Sequence, residues 1–116
     1  MPEPTSHIDR FARDNLPPAD LWPELIFDLP ELRYPARLNA AVELLDAMVA
    51  AGHGARPVIW FGREMWSYRD LLEHANRIAR VLTEDAGLVP GNRVLLRAPN
   101  NPMMVASWFA VLKAGA

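Results

Sequence analysis

The chain has 116 residues, 51% of them hydrophobic and 22% charged, an ordinary globular composition sized for one domain or part of one. Its formal net charge of -2 offers no basic surplus for nucleic acid or for an anionic membrane surface. It has no cysteine, which excludes a disulfide framework, a thiolate metal site and a cysteine nucleophile, and which fits a cytoplasmic protein.

Met1 to Arg13 carries acids and no apolar stretch, unlike a signal peptide, and no apolar run approaches the ~20 residues that span a bilayer. Residues 1–37 hold seven of the eleven prolines: Pro2, Pro4, Pro17, Pro18, Pro23, Pro30 and Pro35. Proline fixes its own φ and biases the preceding residue away from helix, so long helices are not expected here. Phe11, Leu16, Leu21, Trp22, Leu25, Ile26, Phe27, Leu29, Leu32 and Tyr34 are nevertheless too much apolar surface for a disordered tail. The segment reads as an extended lead-in with short helical turns, packed on the surface of a larger body.

Residues 38–116 alternate regularly. Asn39 is a fitting N-cap for a helix over Ala40–Ala51, whose buried face would be Leu38, Ala41, Val42, Leu45, Met48 and Val49; Gly52 and Gly54 would end it. Pro57–Phe61 reads as a strand, Gly62-Arg63 as a tight turn and Glu64–Ser67 as the antiparallel return. Ser67, with Asp70 three positions on, opens a long amphipathic helix with Leu71, Leu72, Ala75, Ile78, Ala79 and Leu82 on one arc and Arg69, Glu73, Asn76, Arg77, Arg80 and Glu84 opposite. Gly87 stops it, and Leu88–Asn92 turns. Arg93–Arg97, centred on Val94-Leu95-Leu96, reads as a parallel strand covered on both faces. Pro99-Asn100-Asn101-Pro102 is a capped turn, and the helix Pro102–Ala114 is apolar nearly all round, as a buried helix would be.

Helix, hairpin, helix, strand, helix is the opening of an α/β domain. A crossover helix should deliver the chain to another strand, and none follows Gly115 and Ala116. The expectation is therefore an incomplete unit: residues 1–37 as lead-in and residues 38–116 as the first part of a larger domain, with native-like helices but no well-packed core.

Several side chains invite a chemical reading. Lys113, the sole lysine, could bind phosphate, but a cation in the last turn of a helix also suits the helix dipole, and that reading is preferred. His74 at the edge of an apolar arc lacks the partner and pocket a general base needs. His7, His53 and His74 show no metal-ligand spacing. Arg63, Arg69, Arg77 and Arg80 alternate with Glu64, Asp70, Glu73 and Glu84, as on a solvated face. Trp60, Trp66 and Trp108 could stack on a base but read better as core. Pro99–Pro102 lies between a strand and a helix, where α/β proteins often bind ligands.

From Gly62 to Ala116, about half the chain, the sequence is similar to the start of the large domain of the adenylate-forming superfamily: acyl-CoA synthetases, luciferases and peptide-synthetase adenylation domains. The resemblance is carried by Gly62-Arg63, Trp66-Ser67-Tyr68, Leu71, Ala75-Asn76-Arg77-Ile78-Ala79, Leu82 and Gly87. It continues through Val89-Pro90-Gly91-Asn92-Arg93-Val94, Pro99–Pro102 and Ala110–Ala116, with Asn92 standing where that family usually has Asp. In the lead-in, His7-Ile8-Asp9, residues 11–18 and Tyr34-Pro35-Ala36-Arg37-Leu38-Asn39 resemble aryl-acid ligases, 2-aminobenzoate–CoA or benzoate–CoA ligase most of all.

The resemblance implies an AMP-forming reaction. A small aryl carboxylate attacks the α-phosphate of ATP, with Mg²⁺, to give an acyl-adenylate and pyrophosphate; the thiol of coenzyme A then displaces AMP. It also implies a Ser/Thr/Gly-rich phosphate loop, aromatic and acidic nucleotide contacts and a catalytic lysine, none of which this sequence contains. The expectation is a fragment with no catalytic, cofactor-binding or metal-binding residue, inactive alone. Two other readings stay open. One is an amino-acid-activating adenylation domain. The other is a short non-catalytic protein that binds a larger ligase or itself through the apolar helix.

Overall fold

The computed structural model describes residues 5–116; Pro2 and Pro4 of the lead-in lie outside them. The lead-in has no long helix, as its prolines dictate. It forms α1 (Phe11–Asp14) and two 3₁₀ turns, Ala19–Leu21 and Pro30–Leu32. Its apolar side chains are largely in solvent, with Leu21, Leu25, Ile26 and Tyr34 each more than 60% exposed. The radius of gyration is 16.3 Å, against about 13 Å for a compact domain of ~100 residues, so the lead-in stands away from the body over much of its length.

Asn39 opens the next helix as its sequence implies, accepting the N–H groups of Ala41 and Val42 at its side-chain oxygen. The helix differs from expectation in pitch. Residues 40–53 include two π-helical turns, Val42–Asp46 and Val49–His53, because apolar spacing alone does not separate an α from a π turn. Gly52 takes φ 88° and ends the regular helix where the sequence placed the stop. Of its expected face, Ala41 and Leu45 are buried and Met48 and Val49 half-buried, while Leu38 and Val42 are exposed.

β1 (Pro57–Phe61) and β2 (Glu64–Ser67) form the expected antiparallel hairpin about Gly62-Arg63. A register irregularity between Pro57 and Ile59 lets the consecutive Val58 and Ile59 both pack on the core. Trp60, opposite Met65, falls on the outer face and is 75% exposed, so it is not the core residue its type suggested.

α2 (Tyr68–Arg80) starts with a full capping box. Ser67 Oγ accepts the Asp70 N–H, and the Asp70 carboxylate accepts from the Ser67 N–H and hydroxyl. The Ser67 hydroxyl, then the Ser67 N–H, hold the Asp70 carboxyl below its ordinary range, with His74 adding a smaller pull. The helix runs into a π turn, Val81–Asp85, and Gly87 at φ 65° lets the Leu88 N–H reach the Leu82 carbonyl.

α3 (Pro102–Lys113) is capped by the Asn101 side chain, with Pro102 at its first position. It buries Pro102, Ala106 and Ala110, a stripe of small side chains that lets it lie close against α2 and its Ala75. The expectation of burial on every face is corrected: Met103 and Trp108 point outward, 46% and 48% exposed, because the close helix–helix approach selects alanine and turns the large side chains away.

Arg93–Arg97 belongs to no sheet, since β1 and β2 make up the two-stranded sheet and no described residue pairs with this segment. Val94 and Leu96 are half-buried while Leu95 is 92% exposed, so one face is covered rather than both. The core is correspondingly small: Leu45, Leu71, Ala75 and Ala106, flanked by half-buried Val58, Ile59, Trp66, Tyr68, Leu72, Ile78, Val105 and Phe109.

Candidate functional site

The richest polar chemistry gathers where the lead-in, the 89–93 turn and the end of α3 meet. Ile8 and Asp9 both donate their N–H to the Pro90 carbonyl at 2.9 Å. The Asp9 carboxylate accepts from the Phe11 N–H, from the Asn92 amide at 2.8 Å and from the Arg93 guanidinium at 2.7 Å. The Phe11 N–H, followed by Asn92 and Arg93, holds the Asp9 carboxyl below its ordinary range. Arg93 also lies over the Phe11 ring, 4.6 Å from its centroid.

Asn92 stands where the resembled family usually has Asp, and the geometry gives its amide a role of its own. Its oxygen accepts the Val89 N–H, closing the turn, while its amide donates to Asp9. An aspartate could close the turn but would oppose the Asp9 carboxylate. Asn92→Asp should therefore weaken lead-in docking, and acid should act on the same group. The folded Asp9 carboxyl titrates below 3.8, so its contribution is full above that pH and is lost as pH falls through the lower folded value. Proton NMR of the Phe11 ring, shifted by Arg93, measures both. Docking lost already at pH 5, or undiminished in Asn92→Asp, would contradict this account.

At the other wall Asn39 serves two helices. Its oxygen caps residues 40–53, and its amide donates to the Leu112 and Lys113 carbonyls at the end of α3. Lys113 lies in the last turn, as the dipole reading has it, and its ammonium donates to Asp46, tying α3 to the first long helix. The other Asp46 oxygen is buried with no partner among the described residues. A cleft of about 560 Å³ opens beside this junction, lined by Ser6, His7, Arg37, Leu38, Asn39, Lys113 and the backbone of 114–116.

The remaining residues singled out in the sequence are scattered. His74 Nδ1 lies 2.8 Å from the Asp70 carbonyl, and its ring stacks on Trp66 at 4.3 Å, a packed boundary histidine that lines none of the clefts described here. Arg77 pairs with Glu73 and Arg80 with Glu84 one turn apart on the exposed face; Arg69 lies against Gly54. Trp108 lines a second cleft of about 440 Å³ between the turn and the outer face of α3. Pro99–Pro102 lines none of the clefts described here. Asp9, Asp46 and the second role of Asn39 were missed in the sequence, because each depends on a partner more than sixty residues away.

Among the described residues no three of His, Asp or Glu converge as metal ligands, and the sole lysine is held by Asp46. No helix among them is long and apolar enough to cross a membrane.

Residues 47–116 match the family described as AMP-binding enzyme. Among curated relatives, acetyl-coenzyme A synthetase of Mycobacterium tuberculosis is 39% identical over 84 residues, which is 67% of this chain and 13% of that protein. The salicyl-AMP ligase / salicyl-S-ArCP synthetase of the same organism is 38% identical over 78 residues, again 67% and 13%. Surfactin synthase subunit 1 of Bacillus subtilis is 35% identical over 82 residues, 71% of this chain and 2% of that protein. The match thus spans a small part of each relative's length. No solved structure matches significantly.

Proposed function

The chain belongs to the AMP-binding enzyme family, and from that premise we propose that it is the opening part of an ATP-dependent ligase that activates an aryl carboxylic acid as its acyl-adenylate and passes it to coenzyme A. The observation that carries the reading is the ordered match from residue 47 to 116. The aryl preference is supported by the lead-in resemblance and by the likeness to a salicyl-AMP ligase. On this reading the described residues are scaffold: the hairpin, α2 and α3 form one corner of the adenylating domain, and the groups that hold the triphosphate belong to other parts of the protein.

The likeness to a surfactin synthase subunit favours a second reading, activation of an amino acid. ATP–pyrophosphate exchange in the protein that carries this chain separates the two. Benzoate and 2-aminobenzoate should drive exchange, and coenzyme A should then yield the acyl-CoA. Exchange driven by amino acids would select the second reading, and a higher kcat/KM for acetate or a long-chain fatty acid would refute the aryl assignment. The 116 residues alone should give no exchange.

A further inference from the structure

Residues 15–38 leave the body and return to the place they left. Before them, Ile8 and Asp9 are bonded to Pro90; after them, Asn39 is bonded to the end of α3. The Gly91 N–H donates to the Gly115 carbonyl, so both ends of this strap are tied to one junction. Between the ties the strap has a shape of its own. It makes two 3₁₀ turns, donates the Trp22 indole N–H to the Pro17 carbonyl, and sets Phe27 edge-on to Tyr34. The hydrogen bonds of residues 15–32 reach no described residue more than five positions away, and residues 14–31 are all exposed. A connection this long is uncommon in a compact domain unless it serves a contact.

The strap is also patterned in charge. Leu21, Trp22, Leu25, Ile26, Phe27 and Leu29 are interspersed with Asp20, Glu24, Asp28 and Glu31, and residues 15–32 contain these four acids and no base. None of the four forms an ion pair with a described residue. A contiguous apolar surface of this kind marks a contact, and acids set into it call for cations opposite. The described body does not supply them. Residues 38–116 carry eight basic and seven acidic side chains, and on the exposed face of α2 Arg77 and Arg80 are already paired with Glu73 and Glu84. A second copy would bring the same near-neutral body and a like-charged strap.

We propose that the strap is a clasp that docks on the remainder of its own polypeptide, seating its apolar side chains on a surface beyond residue 116 that presents Lys or Arg to Glu24 and Asp28. The proposal rests on the reading of this chain as the opening part of a longer ligase, and is independent of the acid that ligase activates. The match to acetyl-coenzyme A synthetase covers 13% of that protein, so most of a polypeptide of that length lies outside the residues described here. A strap tied at both ends meets the rest of its own chain at high effective concentration, which favours that occupant over a free protein. The indole N–H of Trp22 is already satisfied within the strap, so the ring enters an apolar contact without losing a bond.

The test is photo-cross-linking in the protein that carries this chain, with a benzophenone side chain in place of Phe27 and the cross-linked peptides read by mass spectrometry. Mixing ¹⁴N- and ¹⁵N-labelled protein separates links within one polypeptide from links between two. The expected product is a single-isotope link from position 27 to a peptide beyond residue 116 that contains Lys or Arg. Glu24→Lys combined with Asp28→Lys should lower its yield severalfold, and Glu24→Gln combined with Asp28→Gln should lower it less. These side chains bond nothing in the described body, so the substitutions act on docking rather than on its folding. Mixed-isotope links, links confined to residues 5–116, no link at all, or a yield unchanged by charge reversal would each overturn the proposal. The underlying reading fails separately: a carrier polypeptide of only these 116 residues would remove both, whereas a longer one that lacks the link removes the clasp alone.

Discussion

Gly91→Ala should release the lead-in from the body. Gly91 is buried and holds φ +93°, a conformation that L side chains rarely adopt. A Cβ there would sit 2.0 Å from the Asp9 carbonyl oxygen and 3.0 Å from the His7 Cβ. The nearest obstacle is backbone, so no rotamer change relieves it. Either the turn leaves its left-handed conformation, at about 1–3 kcal/mol, or Asp9 moves away and forfeits the Pro90, Asn92 and Arg93 bonds. Turn geometry also positions the Gly91 N–H on the Gly115 carbonyl at 2.7 Å, so the end of α3 should loosen as well. Trypsin provides the measurement, since undocking frees the backbone around Arg10 and Arg13 for cleavage. Gly62→Ala is the control: it shares the positive φ, at 60°, but has no atom within 4 Å of the new Cβ. Cleavage in Gly91→Ala no faster than in Gly62→Ala would show that the close approach to Asp9 does not hold the lead-in.

The local parts of this fold were legible because their signals are local. Ser67 and Asp70, Asn101 and Pro102, and Gly62-Arg63 carry their meaning within four residues, and each does what its sequence implies. The arc of α2 was equally plain: Leu71 and Ala75 are buried and Arg69, Glu73, Arg77 and Glu84 exposed. What failed were inferences from residue type about neighbours. Trp60 and Trp108 look like core, but burial at the α2–α3 contact goes to alanines, and the outer faces of hairpin and α3 have no covering layer among the described residues. Arg93–Arg97 has the composition of a strand, and composition alone supplies no pairing partner. The junction was invisible for a related reason. Asp9, Asn39 and Asp46 are common polar residues whose roles arise only when residues far apart in sequence are brought together. The one sequence clue was Asn92, which stands where the resembled family usually has Asp, and its amide proves to face a carboxylate.

Leu71→Ala should abolish specific packing. Leu45 and Leu71 are the largest fully buried side chains, and the rest of the core is alanine: Ala41, Ala75, Ala106 and Ala110. Leu71 is 1% exposed in the cluster that joins α2 to the hairpin, to residues 40–53 and to α3. Truncating a buried leucine costs about 2.7–5 kcal/mol, and an ordinary domain is stable by only ~5–15 kcal/mol in total. This chain belongs at the lower end of that range, because so much of its apolar surface stays in water, including Trp22, Trp60, Leu95 and Trp108. The α2 helix itself should outlast the core, since its capping box and exposed ion pairs do not depend on Leu71. The expected product keeps its far-ultraviolet helix signal, loses the near-ultraviolet bands of Trp66 stacked on His74, and binds a hydrophobic dye. Leu95→Ala is the matched control, removing the same atoms from a side chain 92% exposed, and should change stability by no more than about 0.5 kcal/mol. Equal effects of the two substitutions on the denaturation midpoint would mean that the cluster around Leu71 does not hold this fold together.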